Sequence, residues 1–183
     1  RVLPVERGHG FRDPDATGWD GSNGSWWDDN NTDQKTVDAM LSKAIQGLTG
    51  RPSDSEAWDV LFKDFNKSKG TGQAGYRKPE KIAIKLNMNQ DRRADWTPDI
   101  GNPSPHVVYS LVNQLVNNAG VPGSAITLFG ATRSIGDPIY NKIRINQSPA
   151  FQGVRFVVTP DRAGSGRIAA ERDTANPLYT KAG

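Results

Sequence analysis

Cysteine is absent from all 183 residues. Its absence excludes disulfides, zinc–thiolate sites, iron–sulfur ligation by this chain and thiol nucleophiles. Histidine is nearly as scarce, with two residues, His9 in a Gly-His-Gly context and His106. No apolar run approaches the roughly 20 residues of a membrane-spanning helix. Neither sign of charge dominates: 23 basic against 20 acidic residues leave +3, with a pI near 9.2. The charges are interleaved rather than clustered, which argues against nucleic-acid binding. There is no G-x-S-x-G elbow, no Walker pattern and no internal repeat. Gly164-Ser165-Gly166-Arg167 is only a fragment of a phosphate loop.

What remains is a chain that is 35% apolar, with 19 glycines and 12 prolines and a mean hydropathy of −0.65. That composition suits one domain, or one domain with a small extension, having a real core and generous loops. It opens with Arg1 rather than Met, so a processed N-terminus and a removed targeting segment are expected.

The organising stretch runs from Lys81 to Arg133. Ile82, Ile84 and Leu86 alternate with Ala83, Lys85 and Asn87, the period of a strand. Ser104-Pro105 then provides a helix start, with Ser at the N-cap and Pro at the first helical position. Val107, Val108, Leu111, Val112, Leu115 and Val116 follow at helical spacing, closed by Ala119-Gly120. A second strand is read near 125–131 and a third near 154–158. Strand, helix, strand at this spacing predicts an α/β fold with a parallel, Rossmann-like βαβ core.

Ahead of the core, residues 33–48 place Val37, Met40, Leu41, Ala44, Ile45 and Leu48 on one helical face. Ser53 and Glu56 form a capping box for a second helix, whose Trp58, Leu61, Phe62 and Phe65 read as core. Residues 1–80 are thus an N-terminal Trp- and Asp-rich arm plus a helical pair, and 81–183 the βαβ core. A short helix is expected at Asp137-Pro138, and the tail after Thr159 gives only a helical hint around 168–171.

Ligands of open parallel sheets bind outside the carboxyl ends of the strands. That rule selects Asn87 and Asn89 after the first strand, Asn102 and Ser104 at the helix start, and Thr132 and Arg133 after the second strand. His106, in the first turn of that helix, is read as a further donor to a ligand bound there. The helix N-terminus and the Arg133 guanidinium together suit a carboxylate or phosphate. Lys85 and Asp137 are the proton-transfer candidates. If its strand is central, Lys85 is buried and requires a partner or a task; near the strand end it pairs with a carboxylate instead. In the arm, Asp13, Asp15 and Asp20 are candidate ligands of an irregular site for a divalent metal such as calcium. A true EF-hand is excluded, because its twelfth position is Gly24 rather than Glu.

The segments DPDAT-x-WDG, WWDDNNTDQ, AWDVLFKDFN, GY-x-x-x-EKIAIKLNMN, SPHVVYSLVNQLVNNAGVP and ATRSIGDPIYNKI resemble the bacterial family called "domain of unknown function three-six-two". The resemblance covers most of the chain. It implies an exported protein, periplasmic or extracellular, and a core that is incomplete here, since such proteins continue further. It brings no catalytic residues. Two functions are therefore expected as alternatives. One is an α/β domain binding a small anionic molecule, as a metal-assisted enzyme or otherwise. The other is a non-catalytic accessory subunit of an extracytoplasmic assembly, its sheet completed by a protein partner.

Overall fold

A computed structural model describes residues 24–88, 96, 101–130, 133–145, 148–164 and 166–170. The elements run α1 (Gln34–Thr49), α2 (Asp54–Ser68), β1 (Ile82–Lys85), α3 (Pro105–Asn117), β2 (Ile126–Phe129), α4 (Asp137–Tyr140), β3 (Arg155–Val158) and β4 (Arg167–Ala169). The four strands form one sheet in the order β1-β2-β3-β4, and every adjacent pair is parallel. The α/β fold and its parallel βαβ unit are those the sequence predicts. The tail differs: residues 167–169 form β4 instead of a helical turn, because they pair along β3, Phe156 opposite Arg167 and Val158 opposite Ala169.

Local sequence explains the helix boundaries. Asp33 caps α1 by accepting the Lys35 amide at 2.9 Å and the Thr36 hydroxyl at 2.5 Å. Gly50 ends α1 in the left-handed region, at φ 66°, where glycine lacks the Cβ penalty. Ser53 accepts the Glu56 amide at 3.3 Å and starts α2. At α3, Ser104 holds the cap position and Pro105 the first helical one, but the serine hydroxyl makes no capping hydrogen bond.

Strand register sorts the sheet into two faces. Ile82 and Ile84 of β1 align with Ile126 and Leu128 of β2, and Leu128 with Phe156 of β3. These side chains pack with Val108, Val112 and Leu115 of α3 and with Ile139, Ile143 and Phe151 in the β2–β3 connection. Both βαβ crossovers therefore bury their apolar side chains against the same side of the sheet. The opposite face carries Ala83, Lys85, Thr127, Phe129, Arg155, Val157 and Ile168. Of these, Ala83, Lys85, Arg155 and Ile168 are exposed.

A polar hub ties the N-terminal helices to α3. The Asp54 carboxylate accepts from Ser42 at 2.6 Å, Gln46 at 2.7 Å and Gln114 at 2.6 Å. Gln114 Oε1 in turn accepts the Trp58 indole N–H at 3.2 Å. Burial raises the Asp54 pKa, but the three hydrogen bonds outweigh it and hold the carboxyl below its ordinary value. The aromatic stripe of α2 is core only in part. Trp58 and Phe62 pack against the core, whereas Phe65 is 57% exposed.

Candidate functional site

A cleft of ≈ 430 Å³ opens where α3 and α4 begin, at the helix starts that follow β1 and β2. Trp27, Asp28 and Asp29 of the loop before α1 form one side, with Trp96 from the β1–α3 connection and Pro105 at the head of α3. Asp137, Pro138, Asn141 and Lys142 form the other. Trp96 anchors the aromatic wall: it stacks on Trp26 at 6.2 Å between ring centroids and meets Trp27 edge-on at 5.4 Å. Trp26 and Trp27 thereby pin the acidic loop to the core.

His106 and Lys142 meet at one carboxylate atom of Asp29. Asp29 Oδ1 lies 2.8 Å from Nε2 of His106 and also accepts from the ammonium of Lys142. The His106 side chain is wholly buried in the first turn of α3, whereas that of Asp29 is 78% exposed. Burial raises the Asp29 pKa, but hydrogen bonds and charge from Lys142 and His106 prevail and lower it. The His106 pKa is lowered, first by burial and then by the charge of Lys142, against opposition from Asp29 and Asp38. A neutral imidazole beside an ionised carboxylate donates from Nε2. Its other nitrogen, Nδ1, is buried and makes no hydrogen bond, and neither do the two buried amide atoms of Asn102, just ahead of α3. Buried polar atoms without partners are few in folded proteins and call for an explanation.

A second ion pair closes the far wall. The Arg167 guanidinium, from β4, bonds the Asp137 carboxylate and lies 3.8 Å from the Tyr140 ring centroid. Ser134 and Thr159 fix the loop before α4 to the end of β3, their hydroxyls 3.1 Å apart.

Of the residues selected from sequence, Ser104 and His106 lie at the head of α3 and Asp137 lines the cleft. Lys85 and Asn87 do not line it. Lys85 lies on the sheet face opposite α3, together with Arg155 of the interior strand β3, and is exposed rather than buried. Its ammonium bonds the amide oxygen of Asn87 at 2.9 Å, not a carboxylate. Arg133 is half-buried in the loop after β2, its amide bonded to the Gly130 carbonyl at 3.1 Å, and it does not line the cleft. Asn89, Thr132, Asp13, Asp15 and Asp20 lie outside the described residues. Among the described residues, no group of three or more His, Asp or Glu side chains could hold a metal ion, and no helix is long and apolar enough to cross a membrane. Sequence reasoning missed Asp29, Lys142, Trp96 and Arg167. Only the Trp-Trp-Asp-Asp run gave a signal for any of them.

Fold and cleft together define an α/β protein with a parallel sheet and a polar crevice at the helix starts that follow β1 and β2. No family model, curated protein or solved structure matches the chain.

Proposed function

We propose that this chain is a binding domain for a small carboxylate or phosphate, taken up in the cleft at the head of α3. The observation that carries this reading is the placement of Asp29. Its carboxylate, on a largely exposed side chain, sits between His106 in the first turn of α3 and Lys142, so the spot already holds an anion. Three features favour negative charge there. The first-turn N–H groups of α3 receive no help from Ser104, and the helix dipole points its positive end at the cleft. The buried Nε2–H of His106 is a fixed donor, and Lys142 supplies the cation. Asp29 acts as an internal stand-in that a ligand anion displaces by swinging the exposed side chain outward. The Trp27 and Trp96 rings give the ligand an apolar wall. Asp28 and Asp137 also line the cleft, but both are engaged, Asp28 by the Ser25 amide at 2.8 Å and Asp137 by Arg167.

Isothermal titration with inorganic phosphate and with succinate tests the reading. Saturable binding of either, lost in Lys142→Met, is the expected result. Failure of both to bind to wild type and to Asp29→Ala would remove it. A non-catalytic role in an assembly is the second reading, and the exposed residues of the second sheet face favour it.

A further inference from the structure

Parallel sheets are almost always covered on both faces. Here both crossovers bury their apolar side chains on one face, and the other carries exposed Lys85, Arg155 and Ile168 around half-buried Phe129 and Val157. Ile168, on edge strand β4, is 43% exposed, so the apolar row Phe129, Val157 and Ile168 is open to solvent at that end. Lys85 stands at its other end on β1, and Arg155 lies beside Val157 on β3. No carboxylate lies on this face among the described residues of the four strands. We propose that the face docks an amphipathic helix of a partner protein, its apolar stripe flanked by acidic side chains. The apolar stripe would cover Phe129, Val157 and Ile168, and the acids would meet Lys85 and Arg155. Pairing with a second copy is disfavoured, because a two-fold axis on this face would bring its cations together.

The site is distinct from the cleft: none of these five residues lines it. The test is fluorescence anisotropy of a labelled 18-residue helical peptide with Leu at i, i+3, i+4 and i+7 and Glu on either flank, titrated with the whole chain. A matched peptide with Lys for Glu is the control. Saturable binding of the Glu peptide only is expected, weakened roughly tenfold or more by Arg155→Glu or Lys85→Glu and unchanged by Lys142→Met. Circular dichroism checks that both charge-reversed variants fold, and two exposed positions keep the test independent of either one. The proposal fails if the Glu peptide does not bind, if the Lys peptide binds as well, or if both reversals leave binding intact. It also fails if the chain alone sediments as a dimer that these reversals dissociate.

Discussion

Asp29 and His106 are joined by a 2.8 Å contact between a largely exposed carboxylate and a fully buried imidazole. In the proposed function the buried donor is fixed and the exposed carboxylate, which Lys142 also holds, is the anion that a ligand replaces. If Asp29 is that stand-in, its removal helps the ligand. Asp29→Ala is expected to tighten phosphate or succinate binding by about fivefold to tenfold, on the scale of one charge-assisted hydrogen bond in partial solvent. Isothermal titration reads it. Weaker binding in the variant would mean that Asp29 holds the ligand instead.

Lys142 is expected to act in the opposite direction. Lys142→Met keeps an unbranched side chain of similar length and removes the ammonium, which also lies 5.9 Å from the Tyr109 ring centroid. Anion affinity should fall roughly tenfold or more, with the fold unchanged by circular dichroism.

How far these residues were legible in the sequence follows from their chemistry. Ile82, Ile84, Val108 and Leu128 declare strand and helix because burial of one face imposes a period on them. α3 was further marked by Ser104-Pro105. β4 was not legible: Arg-Ile-Ala is three residues long and becomes a strand only by pairing with β3. Asp29 and Lys142 are 113 positions apart, and neither sits in a pattern that local sequence can show. Ser104 and His106, selected from sequence, lie at the head of α3 and Asp137 lines the cleft, whereas Lys85, the other proton-transfer candidate, does not. That Lys85 sits on an exposed face of the sheet depends on which face the crossovers pack against, a property of the whole fold that the β1 pattern alone does not show.

His106 sets a pH dependence of stability. Its folded pKa lies below the ordinary value, through burial first and then the charge of Lys142. The unfolded chain therefore takes up a proton near its ordinary value of about 6.5, while the folded chain resists. The contribution to stability is complete above that value and is lost as pH falls toward the lower folded value. Thermal melts between about pH 7 and 5 should show Tm falling with pH, and His106→Gln should flatten this slope. An unchanged slope in the variant would place the titrating group elsewhere. Asp29, also depressed, adds stability that is fully present above the ordinary carboxylate range and is lost only as pH falls through that range toward its lower folded value.

Two glycines should respond with opposite sign. A Cβ on Gly123 would stand 2.3 Å from the Ala150 carbonyl oxygen and 3.3 Å from Val154 Cγ2. Gly123→Ala is expected to cost about 1–3 kcal/mol through this backbone clash. Gly47, within α1, has nothing within 4 Å of its would-be Cβ, so Gly47→Ala should stabilise by about 0.5–1 kcal/mol. Denaturant melts of both variants check the pair.

The central β2 strand carries the core. Leu128 is wholly buried between β1 and β3, and Leu128→Ala should cost about 2–5 kcal/mol. A loss under 1 kcal/mol in denaturant melts would contradict the packing described.

The most direct measurement of the central claim is a ¹⁵N-correlation titration of the whole chain with inorganic phosphate and with succinate. The account predicts saturable shifts of the His106 and Val107 amides and of the Trp27 and Trp96 indole N–H signals. These should occur at lower ligand concentration in Asp29→Ala and be absent in Lys142→Met. Shifts confined to other parts of the chain, or none at all in wild type and Asp29→Ala alike, would contradict an anion site at the head of α3.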